Sequence, residues 1–232
     1  MNYETRISKD RTKLETVIPL KTPFVLFIEP SDRCNFQCKF CPTGDKELIK
    51  SIPSRGYGSM KLDTFKKIVD DASQFPDKIK ALHLFKDGEP LLNKALPEMI
   101  KYAKDSNRFE TIDTTTNSAL LTPKLSDALI SSGLDRVNIS IEGTSSDEYA
   151  KLCRVKVDFD KIVSNIKYLY ENRGSCHILI KINEDIITND SKKLFLDTFG
   201  SISDGISTEH TVACWNNFEL SEFSVNTNVG IY

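Results

Sequence analysis

Residues 34–41 read CNFQCKFC and place three of the chain's six cysteines in the spacing C-x3-C-x2-C. They follow a continuous apolar run at 24–28. Three cysteines in one short loop cannot all pair with each other as disulfides, whereas their thiolates can converge on one metal centre. A four-iron cluster prefers a thiolate at each iron, so a loop that supplies three leaves one iron open to another ligand. The loop therefore indicates an iron–sulfur cluster with one open iron.

Zinc is the alternative occupant, because C-x2-4-C spacings also serve tetrahedral zinc sites. Zinc would need a fourth ligand from the remaining cysteines and histidines, which are Cys153, Cys176, Cys214, His83, His177 and His210. None of these stands in a second C-x2-C or H-x3-H pair. A non-catalytic zinc-binding interaction module thus stays open beside the favoured iron–sulfur cluster.

Length and composition favour one globular domain, because a chain of 232 residues buries about 70% or more of its unfolded surface. The net charge of −2 and the absence of a Lys/Arg-rich run give no basic field for a phosphate backbone, so nucleic acid is not expected as a partner. No apolar run approaches the ~20 residues of a membrane span. Six cysteines without a secretory signal favour free thiols and metal ligands in a reducing compartment, and the predicted location is the cytoplasm, away from membranes.

Apolar runs alternate with segments of helical periodicity along the chain. The predicted strands lie at 24–28, 79–85, 109–113, 136–141, 177–182 and 206–212. The predicted helices begin near residues 61, 93, 123, 147, 160 and 191. Such alternation specifies parallel strands with helices outside, and six strands favour an open (β/α)6 partial TIM-type barrel. A doubly wound sheet is the alternative, because periodicity does not fix strand order.

The remaining segments are predicted to be irregular. Residues 1–23 form a lead-in, and residues 42–60 carry too many prolines and glycines for a regular element, so they are expected to form a long loop over the cluster. The core domain is assigned to 24–215. Residues 216–232 form a tail without a helix stop or cap, and we expect it to be the start of a longer protein's missing extension. The first strand, apolar throughout, is expected to be buried on both faces.

Polar residues follow the second, third and fourth predicted strands. In parallel α/β folds the ligand site lies at the carboxyl ends of the strands. The residues found there are Gly88, Glu89, Pro90, Thr116, Asn117, Ser140 and Glu142. Singly, each has an ordinary explanation as a turn, an N-cap or a capping pair. Together with the cysteines they occupy four consecutive strand ends, which favours a shared ligand site.

The cysteine loop resembles that of the radical S-adenosylmethionine (SAM) enzymes, whose signature is C-x3-C-x2-C with an aromatic residue before the last cysteine. The resemblance implies that Cys34, Cys38 and Cys41 bind a [4Fe-4S] cluster and that Phe40 packs near the adenine of SAM. In the family, SAM chelates the open iron, and an electron from the reduced cluster cleaves it to a 5′-deoxyadenosyl radical. The family's fold is the same partial barrel.

Other strand ends resemble further motifs of that family. Gly88-Glu89-Pro90 is similar to GGEP, which holds the SAM amino group, with Asp87 in place of the first glycine. Thr116-Asn117 resembles the family's TN pair, and Ser140 with Glu142 resembles S-I/L-D-G, with glutamate in place of aspartate. The resemblance implies that these residues contact SAM. The resemblance gives as candidates for SAM binding Phe40, Gly88, Glu89, Pro90, Thr116, Asn117, Ser140, Glu142 and Arg154, the last matching an arginine that pairs with the SAM carboxylate.

The segment from residue 140 to 149 looks most like the SPASM or twitch branch, here without its cysteine-rich extension. That branch implies hydrogen abstraction from a small-molecule or peptide substrate, in an oxidoreductase or in a maturase of ribosomal peptides. It also implies an electron donor such as flavodoxin or ferredoxin. Among the remaining side chains, Cys153 and Cys176 are interpreted as small buried hydrophobes, Cys214 as nearer the site, and His83 as a core histidine. His210 is predicted to form a polar wall of the pocket.

Overall fold

A single parallel sheet forms the centre of the molecule. The computed structural model describes residues 3–4, 12–53 and 55–211. Its six strands pair in sequence order, each parallel to the next. They are β1 (Val25–Phe27), β2 (Ile79–His83), β3 (Phe109–Thr116), β4 (Arg136–Ile141), β5 (His177–Asn183) and β6 (Gly205–Glu209). Because all six run in the same direction, their carboxyl ends meet at one edge, and the predicted open (β/α)6 partial barrel is confirmed.

Seven helices connect the described strands. They are α1 (Lys46–Ser51), α2 (Leu62–Asp71), α3 (Leu96–Asp105), α4 (Pro123–Ser131), α5 (Ser146–Cys153), α6 (Phe159–Glu171) and α7 (Asn189–Phe199). Short 3-10 turns lie at Leu14–Thr16, Pro42–Gly44, Ala72–Gln74, Pro90–Leu92 and Glu184–Ile186. Several helices begin with a side-chain cap; Thr122, Ser145 and Asp158 each accept a hydrogen bond from the backbone three residues on. Among the described residues, no helix is long and apolar enough to span a membrane.

The strands divide their side chains between two faces. One set, including Leu82, Ile112 and Ile139, is fully buried and joins the apolar faces of the helices in one core cluster. The other set faces the concave side of the sheet, and there the register aligns polar residues across strands. Ser140 lies opposite Lys181, which lies opposite Ser207. The helices therefore stabilise one face, and the other presents side chains to the site.

Strand β1 and the segment after the cysteines differ from the predictions. The prediction that β1 is buried on both faces is wrong, because Val25 and Phe27 are 39% and 53% exposed at the edge of an open sheet. The prediction that 42–60 lacks regular structure is also wrong. Asp45 accepts hydrogen bonds from the backbone N–H groups of Glu47 and Leu48 and starts α1, in a stretch free of proline and glycine. The sixth strand begins at Gly205 and ends at Glu209, earlier than predicted.

The chain's start packs against the opposite end of the barrel. Tyr3 forms a parallel bridge with Ile206, and Glu4 N–H donates to the Ile206 carbonyl at 2.9 Å. The Glu4 carboxylate lies 3.0 Å from Arg136 Nη2 and 3.0 Å from His177 Nε2, at the amino ends of β4 and β5. This part of the predicted lead-in therefore joins the last described strand to the middle of the sheet.

Candidate active site

The three loop cysteines line one cavity of about 170 Å³ at the carboxyl ends of the strands. The predicted site residues that share this cavity are Cys34, Cys38, Cys41, Phe40, Gly88, Glu89, Thr116, Asn117, Ser140 and Glu142. Phe36, Phe85, Lys86 and Thr115 complete its lining. The structure therefore brings together residues from four consecutive strand ends. Pro90 and Arg154 are the two predicted residues that it does not place in this lining.

The thiols are free and partly exposed towards the cavity. Phe36 N–H donates to Cys34 Sγ at 3.4 Å, and Asn117 Nδ2 approaches the same sulfur at 3.8 Å. Burial raises the pKa of Cys34 to about 12, and burial is also the main cause that raises the pKa of Cys41. Such thiols stay protonated at neutral pH, and a metal centre that binds them releases those protons.

The donor set fits a cluster better than a single ion. In the described part of the chain, no three His, Cys, Asp or Glu side chains are grouped to hold one metal ion. Tetrahedral zinc, with a zinc–sulfur distance of about 2.3 Å, needs its sulfurs close together. A four-iron cluster binds each thiolate through a different iron and accepts a wider arrangement. Three free thiols around one cavity are the donor set of a cluster that leaves one iron open.

The turn after β2 is docked onto the start of the cysteine loop. Glu29, two residues after β1, accepts hydrogen bonds from the Asp87 and Gly88 N–H groups at 2.8 and 2.7 Å. A Cβ on Gly88 would stand 2.0 Å from the Ser31 carbonyl oxygen, so glycine is required there by close backbone packing. The sequence interpretation missed Glu29. An acidic residue directly after an apolar run and before a proline was the available signal.

Glu89 joins the ends of β2 and β3. Its carboxylate is 2% exposed and accepts hydrogen bonds from Thr116 Oγ1 at 2.6 Å, Asn117 N–H at 2.8 Å and Leu91 N–H at 3.0 Å. Burial raises the pKa of Glu89 to about 7, against the lowering effect of these hydrogen bonds. The side chain of Asn117 turns instead to the cysteine loop, where its Nδ2 donates to Asn35 Oδ1 at 2.9 Å.

A second cavity of about 260 Å³ adjoins the first and shares Phe40, Cys41, Ser140 and Glu142 with it. Lys181 and Asn183 of β5 and Glu209, His210 and Thr211 at the end of β6 line its far side. Lys181 is 8% exposed, and its Nζ lies 2.6 Å from Glu209 Oε2. Burial raises the pKa of Glu142 to about 7; Lys181 acts against this shift and Glu209 adds to it. The sequence interpretation missed Lys181, although a lysine inside the apolar run of β5 was a visible signal.

Two residues predicted to contact SAM, Arg154 and Pro90, line neither of these two cavities. Arg154 ends α5 in the left-handed conformation, with φ 55°, and its side chain is exposed. It lines a different depression on the outer side of the cysteine loop, beside Lys39 and Lys46. Pro90 is buried at the start of its 3-10 turn. Sequence spacing alone could not show on which side of the loop the end of α5 would lie.

The structure also places most of the remaining cysteines and histidines that the sequence singled out. Cys153 and Cys176 are buried, 0% and 3% exposed, in line with their interpretation as small hydrophobes. His83 Nδ1 lies 2.8 Å from an Asp113 carboxylate oxygen, so its polar atom is paired. His210 lines the second cavity, as predicted for a polar wall. Cys214 lies outside the described residues.

Curated relatives and solved structures resemble this chain. GTP 3',8-cyclase of Clostridium perfringens is 30% identical over 173 residues, covering 74% of this chain and 49% of the relative. Probable GTP 3',8-cyclase of Methanococcus maripaludis is 36% identical over 131 residues, covering 56% and 39%. The chain spans about half the length of the curated relatives it matches. Streptococcus suis SuiB bound to S-adenosylmethionine superposes with a TM-score of 0.69 at 16% identity, over 92% of this chain and 46% of SuiB, which shows a shared fold.

The sequence profile of the Radical SAM superfamily matches residues 28–187. This span begins at the end of β1 and contains the three loop cysteines and the ends of the next four strands. The cofactors of that superfamily are a [4Fe-4S] cluster and S-adenosylmethionine. On this match, the chain belongs to the radical SAM superfamily.

Proposed function

We propose that Cys34, Cys38 and Cys41 bind a [4Fe-4S] cluster at which SAM is reductively cleaved, and that the chain acts by hydrogen abstraction from a substrate. The observation that carries this proposal is the single cavity in which the three thiols meet the ends of β2, β3 and β4. When bound, the cluster and SAM supply a 5′-deoxyadenosyl radical. The protein's own task is to position SAM and the substrate and to exclude water and stray hydrogen donors.

The chain's polar residues have distinct parts in this proposal. Gly88 and Glu89 shape the turn whose backbone would meet the SAM amino group, and Glu89 holds it against Thr116 and Asn117. Ser140 and Glu142 line both cavities, which suits contacts to the ribose or the methionine carboxylate of SAM. Phe40 also lines both cavities and would pack near the adenine of SAM. Arg154 is given no SAM contact in this proposal, because it lines the separate depression beside Lys39 and Lys46.

The reaction performed on the substrate has two candidates. An oxidoreductase is the first, with a maturase of ribosomal peptides as its variant in the SPASM or twitch branch. A cyclisation or other rearrangement of a nucleotide is the second, favoured by the curated relatives named GTP 3',8-cyclase. The lysines lining the two cavities, within the described chain, are Lys86 and Lys181, and Lys181 is paired with Glu209.

Anaerobic reconstitution with iron and sulfide tests the central claim. The reconstituted protein is reduced with dithionite, or with a flavodoxin or ferredoxin as the donor, in the presence of SAM, and 5′-deoxyadenosine is measured by liquid chromatography. We expect this product from the wild-type chain and none from Cys38→Ala. Cys176→Ala is the matched control, because it removes a buried thiol far along the chain from the loop and should leave the product unchanged.

The zinc-binding module gives the opposite result. A colourless protein that binds one zinc ion and makes no 5′-deoxyadenosine, with all three loop thiols intact, would overturn the proposal. Incubating the active protein with GTP then separates the substrate candidates. Conversion of GTP to a cyclised product favours the rearrangement, whereas 5′-deoxyadenosine formation that GTP does not stimulate favours another substrate.

A further inference from the structure

Cys38 lies between two cavities. It lines the candidate active-site cavity, and it also lines the depression of about 350 Å³ in which Arg154 lies. Among the described residues, Cys38 is the one member that these two linings share. A cluster bound to the three loop thiols would therefore be reached from the depression through a single residue. That route does not pass through the cavity proposed for SAM.

Three elements build the depression around Cys38. Lys39 follows it in the loop, and the Lys39 N–H donates to the Leu152 carbonyl at 3.0 Å, which holds the end of α5 beside the loop. The segment that leads into α1 packs against the same backbone, because a Cβ on Gly44 would stand 2.5 Å from the Cys38 carbonyl oxygen. A backbone hydrogen bond and close backbone packing therefore fix the depression next to this cysteine.

Cations outnumber acids in the lining of the depression. One comes from the loop, one from α1 and one from the end of α5, and they are Lys39, Lys46 and Arg154. The two acids in the same lining are engaged by neighbours, because Asp45 caps α1 and Glu47 lies 2.8 Å from Lys50 Nζ. The whole chain carries a net charge of −2, so the positive surface is a local feature of this part of the molecule.

An exposed aromatic ring lies in the adjoining cavity. This cavity, also of about 350 Å³, shares Lys46 with the depression and includes Cys34 and Tyr57 in its lining. Tyr57 is 64% exposed. Aromatic residues and arginine are enriched where proteins bind one another. The surface beside the cysteine loop thus combines positive charge with an exposed tyrosine.

We propose that Lys39, Lys46 and Arg154 form the docking surface for a small acidic protein that delivers single electrons to the cluster. This inference rests on the proposed function. In the docked pair, one electron leaves the reduced carrier, which is oxidised by one electron, and enters the cluster, which is reduced by one electron; no atom or proton is transferred. Acidic residues around the carrier's redox centre match this surface, because complementary charges steer the encounter and orient the partners.

Binding of flavodoxin, an acidic one-electron carrier, to the reconstituted protein tests the docking surface. We expect Lys46→Glu and Arg154→Glu each to raise the Kd about tenfold at low salt, because each substitution replaces an attractive charge by a repulsive one. Wild-type binding should weaken as salt rises, and more steeply than that of either variant. Isothermal titration calorimetry with oxidised flavodoxin measures both effects.

Lys101→Glu is the matched control, because it reverses an exposed lysine on α3 that lines neither the depression nor the adjoining cavity. Its Kd should stay within about twofold of the wild type. If Lys46→Glu and Arg154→Glu bound flavodoxin as tightly as this control, the docking surface would be refuted.

Stopped-flow absorbance measures electron transfer itself. Reduction of the cluster by flavodoxin hydroquinone should slow about tenfold in Lys46→Glu and Arg154→Glu. Formation of 5′-deoxyadenosine with excess dithionite should be unchanged in both, because a small reductant needs no docking surface. Equal flavodoxin rates in wild type and variants would sink the inference alone. A wild type that makes no 5′-deoxyadenosine with dithionite would instead overturn the proposed function.

Cross-linking of the wild type covers the case in which a variant does not fold. A carbodiimide joins a lysine amine to a carboxylate in direct contact with it, without a spacer. We expect flavodoxin carboxylates to be joined to Lys39 or Lys46, as identified by mass spectrometry of the linked peptides. Cross-links confined to lysines elsewhere, such as Lys101, would contradict the inference.

Discussion

Two glutamates at the strand ends have pKa values above the ordinary range for a carboxyl group. Burial raises the pKa of both Glu89 and Glu142 to about 7. Glu89 is enclosed by three hydrogen-bond donors, whereas Glu142 is partly exposed in both cavities. Glu89 therefore serves to hold the site together, and Glu142 is the one placed to meet a ligand. Perturbed carboxyls in a cavity are typical of functional sites.

Glu142→Gln should change how stability depends on pH. The carboxyl has an ordinary pKa of 4.5 and a folded value of about 7, so the folded chain binds a proton between these values. Its stabilising contribution is complete below pH 4.5 and is lost as the pH rises through 7. We expect the variant to match the wild type near pH 4.5 and to gain about 1–2 kcal/mol at pH 8, a Tm higher by roughly 2–8 °C. Thermal unfolding of the metal-free protein, followed by circular dichroism, measures this.

Glu110→Gln provides the control, because Glu110 is an exposed glutamate on β3. Its Tm should stay close to that of the wild type at both pH values, because substitutions of exposed residues change stability little. If the Tm difference between Glu142→Gln and the wild type were the same at pH 4.5 and pH 8, the argument that burial raises the pKa of Glu142 would be contradicted. In the cluster-loaded protein the same variant should bind SAM more weakly, because it loses the carboxylate proposed to contact SAM.

Two connecting elements hold the cysteine loop in place. The turn after β2 packs onto the loop's start through Gly88 and Glu29, and α5 holds its middle through the carbonyls of Leu152 and Cys153. Each element supplies backbone hydrogen bonds that the loop cannot make internally. The loop's geometry is therefore set by its neighbours in space rather than by its own sequence.

Gly88→Ala should loosen this docking. The new Cβ would stand 2.0 Å from the Ser31 carbonyl oxygen and 2.7 Å from that of Arg33, so the backbone must move. We expect a loss of about 2–3 kcal/mol in the free energy of unfolding, measured by urea titration. Gly58→Ala is the matched control, since nothing lies within 4 Å of its added Cβ, and it should be neutral within about 0.5 kcal/mol. Equal urea midpoints for the two variants would show that the turn accommodates the added Cβ without loss of stability.

Arg154→Ala tests whether the arginine at the end of α5 contributes to SAM binding. Because the side chain lies outside the cavity, the cluster-loaded variant should keep SAM affinity within about twofold of the wild type. Ser140→Ala, which removes a hydroxyl from both cavities, should weaken it by about tenfold, the effect of one hydrogen bond. Anaerobic equilibrium dialysis compares them. A tenfold loss in Arg154→Ala would restore the pairing with the SAM carboxylate that the sequence resemblance implied.

At the scale of the whole molecule, the candidate site lies at the carboxyl ends of the strands, and ion pairs that stabilise the sheet lie at the amino ends. The cavities lie at the carboxyl ends of the strands, while Glu4 bridges Arg136 and His177 at the amino ends of β4 and β5. Substitutions at the amino end should therefore change stability without changing the site. Stability and ligand binding are expected to respond to different residues.

Glu4→Gln should lower the free energy of unfolding by about 0.5–1.5 kcal/mol, because a partly buried carboxylate loses charge-assisted bonds to Arg136 and His177. The deficit should shrink at 1 M salt, where the Glu4–Arg136 ion pair of the wild type is screened. Urea unfolding at low and high salt measures both effects. Glu15→Gln, on an exposed turn, is the control. A Glu4→Gln variant as stable as this control would show that the carboxylate contributes nothing to holding the sheet.

The sequence by itself determined the six parallel strands, their alternation with helices and the grouping of the cysteines with the polar strand ends, whereas the strand order that makes a partial barrel came from the tertiary structure. These follow from local periodicity and from the rule that parallel strands end at a common edge, so they need no knowledge of distant contacts. Tertiary structure alone decided what depends on contacts between remote segments. It placed Arg154 outside the cavity, held the cysteine loop against the end of α5, set Glu29 against the turn after β2 and left β1 exposed at the sheet edge. Spacing along the chain does not specify which side of a loop its neighbour occupies, because that depends on how helices pack on the sheet.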